Sequence, residues 1–327
     1  MMALTQTRSS IACAVVTYNR DDFIETCIAS LLASRSDRLD VSVIVIDNGS
    51  ADGTAALLAA YPPEDITVIT NAKNVSLSEA LNQGIDAGFA SGADYIALLN
   101  DDIEMRPGAV AELVAVAAEV KGAVVTPLQI DYRKPDELEE VMLKKVQDTP
   151  DLLNDAVYRG AIKRYYEQPH GMIGSALVAA RETYETIGYF DLLFPFYGSD
   201  NDYFTRAARL GRPLLLAMKA HMLHMHGRVS TTKTVNRADW LRRRKSSFRG
   251  RQLQKLKSPE RPLLQTYLRV IGRGLLDLPK QVRRSGLAGG LATVSALFEL
   301  LGEYATIRAR RSEELARLAA AKARSGT

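Results

Sequence analysis

The strongest constraint in this chain is an alternation. Short runs of β-branched and aliphatic residues, at residues 11–17, 41–47, 66–70 and 95–99, are separated by segments whose apolar residues recur at helical spacing. In the first such segment Phe23, Ile24, Cys27, Ile28, Leu31 and Leu32 mark one helical face. A short helix is expected up to about residue 60 and a longer one over 76–90. Residues 41–47 are almost continuously apolar, as in a strand covered on both faces. The β-α-β-α-β-α-β order predicts an α/β fold, a Rossmann-like and mostly parallel sheet with right-handed crossovers, flanked by helices.

Ligands of such sheets bind at the carboxyl ends of the strands. Polar residues gather there: Thr17-Tyr-Asn-Arg20 after the first strand, Asp47-Asn-Gly-Ser50 after the second and Asn100-Asp-Asp102 after the fourth. No G-x-G-x-x-G or G-x-x-x-x-G-K-[ST] loop follows the first strand, which argues against dehydrogenases and P-loop enzymes. A diphosphate here needs another source of positive charge, and Asn100-Asp101-Asp102 offers oxygen ligands for a divalent cation. The same three residues also fit a polar turn before a helix. Three of the four histidines fall within Ala220-His-Met-Leu-His-Met-His226. If that segment is extended, His224 and His226 share a face and His221 points the other way; imidazole suits manganese and similar ions. Asp200, in Tyr197-Gly-Ser-Asp-Asn-Asp202, follows the aromatic run from Phe194. It could be a base for a hydroxyl. Asp200 and Asp202 as acids complementing a helix dipole is the simpler account of that segment alone.

Later segments are more varied. A helix is expected from Pro107 to about 119, strands at 123–126, 171–180 and 214–218, and a helix over 199–210. Residues 131–168, rich in charge and tyrosine, have no clear period and are expected to form a loop-and-helix insertion. From residue 231 the character changes: residues 237–257 hold nine Lys or Arg and one acid, followed by amphipathic helical patterns. The net charge of +4 over 327 residues arises from this last third. Cys13 and Cys27 lie in apolar settings, as thiols do in a reducing compartment. The first ten residues lack the pattern of a leader. Residues 286–307 carry Glu299 and Glu303, as expected of a packed or surface helix rather than a bilayer span.

Taken together, these segments resemble the family-2 inverting glycosyltransferases of GT-A fold, and within them non-processive, rhamnosyltransferase-like enzymes of the cell envelope. The matching stretches are Val15-Val-Thr-Tyr-Asn-Arg20, Val45-Ile-Asp-Asn-Gly-Ser-Ala-Asp-Gly-Thr54, Asn71-Ala-Lys-Asn74 with Ala80-Leu-Asn-Gln-Gly84, Ala97-Leu-Leu-Asn-Asp-Asp102, Gly188-Tyr-Phe-Asp191, Tyr197-Gly-Ser-Asp-Asn-Asp202 and His224. They span about residues 11–230. The resemblance implies a GT-A domain over 1–230, with a nucleotide-binding half at about 11–106 and an acceptor half at about 107–230. Residues 231–327 form a basic, amphipathic helical region.

Thr17, Tyr18, Asn19, Arg20, Asp47 and Asn74 would bind the nucleotide, with Asp101 beside them. Asp102 and His224 would hold Mn or Mg, with Asp101 or His226 as further candidates, and Asp200 would be the catalytic base. The chain departs from the family at Asn100, where an acid is common, and at Ser199, which usually is Glu. The implied reaction moves a sugar from a UDP- or dTDP-linked donor to a hydroxyl of a glycan or lipid-linked acceptor, with inversion. A nucleotidyltransferase should carry a glycine- and arginine-rich phosphate loop that this chain lacks. A non-catalytic nucleotide- or glycan-binding scaffold is the other alternative.

The basic tail suits the anionic inner face of a plasma membrane, placing the protein in the cytoplasm and peripherally on that surface. A solvated appendage or a homo-oligomer contact would use the same pattern. Nucleic acid fits poorly, because aromatic residues do not interleave with the cations.

Overall fold

A computed structural model describes residues 8–168, 171–225 and 237–325. The chain divides into two compact units, one of Met1–Pro195 with Tyr203–Arg228 and one of Phe196–Asp202 with Val229–Thr327.

The first unit begins with β1 (Ser9–Thr17), α1 (Ile24–Leu32), β2 (Leu39–Asp47), α2 (Thr54–Ala59), β3 (Ile66–Thr70), α3 (Leu77–Ala90) and β4 (Tyr95–Asn100). These are the alternating elements expected from the periodicity. β1 pairs in parallel with β2 and β4, and β2 with β3. There follow β5 (Ile103–Met105), α4 (Ala109–Glu119), β6 (Val124–Asp131), α5 (Glu140–Gln147), α6 (Pro150–Asn154) and a π-helical turn at Asp155–Arg159. Next come β7 (Tyr165–Glu167), β8 (Ala176–Ala180), α7 (Arg181–Ile187), α8 (Ser199–Arg209), which crosses into the second unit, and β9 (Leu214–His224). The strand order is β3-β2-β1-β4-β8-β6-β9-β5, with β7 on β9. The result is a mixed α/β sheet, parallel over its first half.

Strand β8 runs against both β4 and β6, and β6 runs with β9. Two reversals restore the direction, so β6 and β9 end at the same edge of the sheet as β1, β2 and β4. Both faces are covered. Cys13, Val43, Val45, Leu99 and Val125 pack on one side with Ile28, Leu31, Leu113 and Val116; Ala14, Ile46, Ile96 and Leu98 pack on the other with Ile85, Tyr184, Tyr203 and Phe204. Helix α3 approaches that second face closely, because a Cβ on Gly84 would meet the Ala14 side chain at 3.0 Å.

Five strands differ from the sequence expectation, among them β8, which begins at Ala176 rather than at residue 171. Strand β9 runs on through His221 to His224, since after a register shift between Pro127 and Leu128 the strand β6 pairs again with residues 221–224, and β5 pairs with residues 222–224 from the other side. Strand β6 extends to Asp131 at the start of the 131–168 segment, and β5 and β7 are three-residue strands too short to leave a periodic signature. His226 lies outside the described residues.

The second unit contains α9 (Arg237–Lys257), α10 (Leu263–Leu276), α11 (Leu278–Gly302) and α12 (Tyr304–Ser325). Leu253, Leu256, Val270, Leu297, Leu300 and Ile307 are buried within it.

Candidate active site

The parallel register sets Thr17 beside Asp47 and Val16 beside Asn100, so three polar strand ends become neighbours. Thr17 and Asp47 are buried. The loops beyond them are tied by hydrogen bonds. The Asn19 amide donates to Ser50 Oγ (2.9 Å), the Ala51 amide to Asn19 Oδ1 (2.8 Å) and the Arg20 amide to Thr54 Oγ1 (2.9 Å). Asn19 adopts a left-handed backbone (φ 54°), a conformation asparagine tolerates better than most residues. Asp47 Oδ1 accepts from the Ser50 amide at 3.0 Å, and Gly49 (φ 78°) passes so close to Lys73 that a Cβ would meet its carbonyl carbon at 2.7 Å.

Asn48 extends the network outward. Its Nδ2 donates to Asn74 Oδ1 (3.1 Å) and to the Val75 carbonyl (3.0 Å), while its Oδ1 accepts from the Val75 amide at 2.9 Å. Thr17, Asn19, Arg20, Asp47 and Asn74 therefore belong to one connected set of loops. Tyr18 stands 43% exposed, with its ring available to a planar ligand.

At the end of β4, Asp101 and Asp102 are both buried. Arg20 reaches them: its Nε lies 3.6 Å from Asp101 Oδ1, its Nη2 lies 3.5 Å from Asp102 Oδ2, and its guanidinium stands 5.8 Å from the centre of the Phe23 ring. Burial pushes the Asp101 carboxyl up to about 6, with Arg20 opposing the shift and the Asp102 charge adding to it. Strand β5 pairs antiparallel with the end of β9, setting Ile103 opposite His224, and the Met225 amide donates to the Asp102 carbonyl at 2.9 Å. That register brings His224 Nε2 to 3.4 Å from Asp102 Oδ1. His221, by contrast, is exposed, with its Nε2 3.1 Å from the Met218 carbonyl oxygen.

On its other side the His224 ring meets Glu139, whose two carboxylate oxygens lie 3.1 and 3.2 Å from Nδ1. Burial alone would lower the His224 pKa; the hydrogen bonds and charges of Asp102 and Glu139 outweigh it and raise the imidazole to about 9. No group of three or more His, Cys, Asp or Glu residues arranged to hold a metal occurs among the described residues. Two ligands suffice where a nucleotide's phosphates and water complete the shell, as is usual for Mg. Adjacent ligands of such an ion stand about 3 Å apart, so the 3.4 Å between Asp102 and His224 fits this donor set.

Asp200 belongs to the second unit, half-buried in the first turn of α8, where its Oδ1 accepts from the Asn201 amide at 2.8 Å. Its segment is gripped by α9. Lys257 Nζ donates to Asp202 Oδ1 at 2.6 Å, with both side chains buried, and Gln254 Nε2 donates to the Gly198 carbonyl at 3.3 Å. A Cβ at Gly250 would fall on the Tyr197 carbonyl oxygen, so only glycine permits this approach.

The model of glycosyl transferase family 2 matches residues 13–187, more than half of the chain. The chain belongs to glycosyl transferase family 2. The N-acetylglucosaminyl-diphospho-decaprenol L-rhamnosyltransferase of Mycobacterium tuberculosis is 26% identical over 236 residues, covering 64% of this chain and 74% of the relative. The succinoglycan biosynthesis protein ExoO of Rhizobium meliloti is 35% identical over 117 residues, covering 36% of this chain and 32% of its own. Among solved structures, GalNAc-T7 with UDP, GalNAc and Mn2+ superposes with a TM-score of 0.57 at 15% identity. The match covers 76% of this chain, which spans 48% of that one. The mannosyltransferase PcManGT of Pyrobaculum calidifontis, with GDP-Man and Mn2+, gives 0.54 at 16% identity over 96% of this chain and 87% of that one. These structures share the GT-A fold with this family 2 glycosyltransferase.

Two residues of this family 2 site escape sequence reasoning. Asn48 reads as part of a turn, yet its side chain joins the loop after β2 to Asn74 and Val75. Glu139 lies in the aperiodic 131–168 segment, and nothing in its neighbours signals that it faces a histidine 85 positions away.

Proposed function

We propose that this enzyme transfers a sugar, with inversion, from a UDP- or dTDP-linked donor to a hydroxyl of a glycan or lipid-linked acceptor in cell-envelope polysaccharide or glycolipid assembly. Residues 1–230 act as the transferase domain and 231–327 as its helical extension. The pairing of Asp102 with His224 at the carboxyl edge of the sheet, next to the connected loops of Thr17–Arg20 and Asp47–Ser50, carries this reading. The decaprenol-linked substrate named for the mycobacterial relative and the polysaccharide named for ExoO support the acceptor class.

Thr17, Tyr18, Asn19, Asp47 and Asn74 bind the nucleoside, and Arg20 and Asp101 flank its diphosphate. Asp102 and His224 hold Mn or Mg, the ion seen with both structural neighbours being Mn2+. Bound there, the cation neutralises charge on the departing diphosphate. Asp200 takes the proton of the acceptor hydroxyl as its oxygen bonds to the anomeric carbon. The bond from that carbon to the diphosphate oxygen breaks with its electron pair on the leaving group. A single displacement inverts the centre, as in inverting hydrolases. Asp200→Asn is expected to abolish transfer while nucleotide affinity, measured calorimetrically with Mn2+, stays near wild type; unchanged turnover would remove Asp200 from this role.

The helical unit supports peripheral contact with an anionic bilayer. At about 100° per residue, Leu264, Leu268 and Leu275 of α10 fall within roughly 40° of one another, as do Leu287, Leu291 and Phe298 of α11. All six are more than half exposed. Tyr267 donates to the Leu300 carbonyl and Gly274 lies against Leu297, so the two helices pair antiparallel. On each, the exposed stripe sits roughly 100° from the seam in the same rotational sense, which brings both stripes out on one side. Arg242 and Lys245 of α9 border the Leu291 end of this face, lining a shallow groove with Leu241, Ala288 and Ala292.

Lipid with negative headgroups matches leucine beside arginine and lysine; a second copy would set like charges against each other. Helix α11 is long and apolar enough to cross a bilayer by length and composition. Its backbone nevertheless leaves the helix at Gly286 (φ 68°, ψ −178°). The uninterrupted stretch from Leu287 to Gly302 reaches about 24 Å, short of a hydrocarbon core of about 30 Å, which favours lying on the surface.

A further inference from the structure

Glu139 touches His224 from the side opposite Asp102, and neither the fold nor the transfer chemistry described above assigns it a task. We propose that Glu139 is a positioning residue for the cation site, fixing the ring of His224 so that Nε2 faces the ion. This rests on Asp102 and His224 being the cation's protein ligands.

The case begins with the backbone. Residue 139 is the last before α5 and is extended (φ −58°, ψ 143°). Its amide donates to the Gln129 carbonyl at 3.1 Å and its carbonyl accepts from the Leu143 amide at 2.8 Å. Immediately before it, Leu138 bridges antiparallel to Ile130 of β6. The position is thus pinned to the same strand whose end, Asp131, lies beside His224 in the sheet. A carboxylate on this rigid corner is aimed by its main chain, not by a mobile loop.

The side chain then selects one form of the ring. Both oxygens of Glu139 stand within hydrogen-bond reach of Nδ1, and the carboxylate is 12% exposed. An ionised carboxylate only accepts, so it requires the proton on Nδ1. Once a cation displaces the Nε2 proton, the ring keeps its other proton on Nδ1 and presents a lone pair at Nε2, the atom 3.4 Å from Asp102 Oδ1. Ligating histidines commonly give their second N–H to a carboxylate in this way, which fixes the tautomer and strengthens the ligand; removing such partners costs about 10- to 100-fold in metal affinity. Without Glu139, the ring is free to carry its proton on Nε2 and present that proton to the ion.

The test is Mn2+ binding to the full-length protein, read from the loss of the free-ion paramagnetic resonance signal, in wild type, Glu139→Ala, Glu139→Gln and His224→Gln. Glu139→Ala is expected to weaken Mn2+ binding about 10- to 100-fold, approaching the loss in His224→Gln. Glu139→Gln keeps an acceptor oxygen for Nδ1–H and is expected to retain most of the affinity. Nitrogen-15 spectra of the side chains with diamagnetic Mg2+ bound, simple with four histidines in the chain, should show Nδ1–H at His224 in wild type and a shift toward Nε2–H in Glu139→Ala. A folded Glu139→Ala that binds Mn2+ within about twofold of wild type overturns the positioning role alone. If that variant does not fold, a Glu139→Gln as weak as His224→Gln does the same. A wild type that binds no Mn2+ removes the cation site itself.

Discussion

Replacing Lys257 with methionine tests how the segment that carries Asp200 is held in place. Lys257 Nζ lies 2.6 Å from Asp202 Oδ1, and the two side chains are 3% and 6% exposed. Burying both charges costs several kcal/mol each, recovered only while they face each other. Methionine fills much of the lysine volume but breaks this buried ion pair, a change that costs about 3–5 kcal/mol. With a urea dependence of about 2 kcal/mol per molar, the unfolding midpoint should fall by about 1.5–2.5 M. The chain's single tryptophan, Trp240, sits on α9 in the same unit, under the Arg244 guanidinium at 5.3 Å, so its fluorescence reports this unit directly. Pairing Lys257→Met with Asp202→Leu replaces the ion pair by apolar contact and should restore much of the loss, since such exchanges are often neutral. A single-variant loss under about 1 kcal/mol, the value of an exposed pair, with no recovery in the double variant, would refute the reasoning.

Gly88→Ala should destabilise the first unit, because its new Cβ would meet Ile96 Cδ1 and Cγ1 at 2.8 Å and Cγ2 at 3.0 Å; overpacking of about 1–3 kcal/mol exceeds the helix-propensity gain of about 1 kcal/mol, and Ile96→Val in the same chain should recover part of the fall in melting temperature. Leu268→Glu with Leu291→Glu should abolish co-sedimentation with phosphatidylglycerol vesicles, while phosphatidylcholine vesicles should bind neither protein. Equal sedimentation of variant and wild type would rule out the bilayer face, and conversion of a dimer to a monomer in light scattering would assign it to a second copy.

Much of the stretch over residues 11–106 is legible in the sequence because its information is local. β-branched runs followed by helical spacing fix the first four strands, and each polar cluster sits at the end of a strand that can be recognised without its partners. Over 131–168 the expected loop-and-helix insertion is present, but its individual elements are not legible, for the complementary reason. It holds short elements, α5, α6, a π-helical turn and β7; Met142 of α5 packs against Leu128 and Leu216 and β7 pairs with β9, contacts that no local periodicity records. Histidine clustering singled out residues 221–226 and strand alternation set His221 apart from His224; the pairing of β9 adds which of them meets Asp102. His221 is exposed, whereas His224 lies opposite Ile103 and faces Asp102.

By itself the sequence determined the alternating architecture, the absence of a glycine-rich phosphate loop and the identity of the polar residues at the strand ends, since backbone periodicity and side-chain chemistry are properties of neighbours in the chain. The tertiary structure alone decided that β8 runs antiparallel to both β4 and β6, so that β6 and β9 regain the direction of β4, that Arg20 spans Asp101 and Asp102, and that Glu139 stands behind His224. Those pairings join residues more than 50 positions apart, and their register is set by packing and hydrogen bonding between strands, which no local pattern encodes.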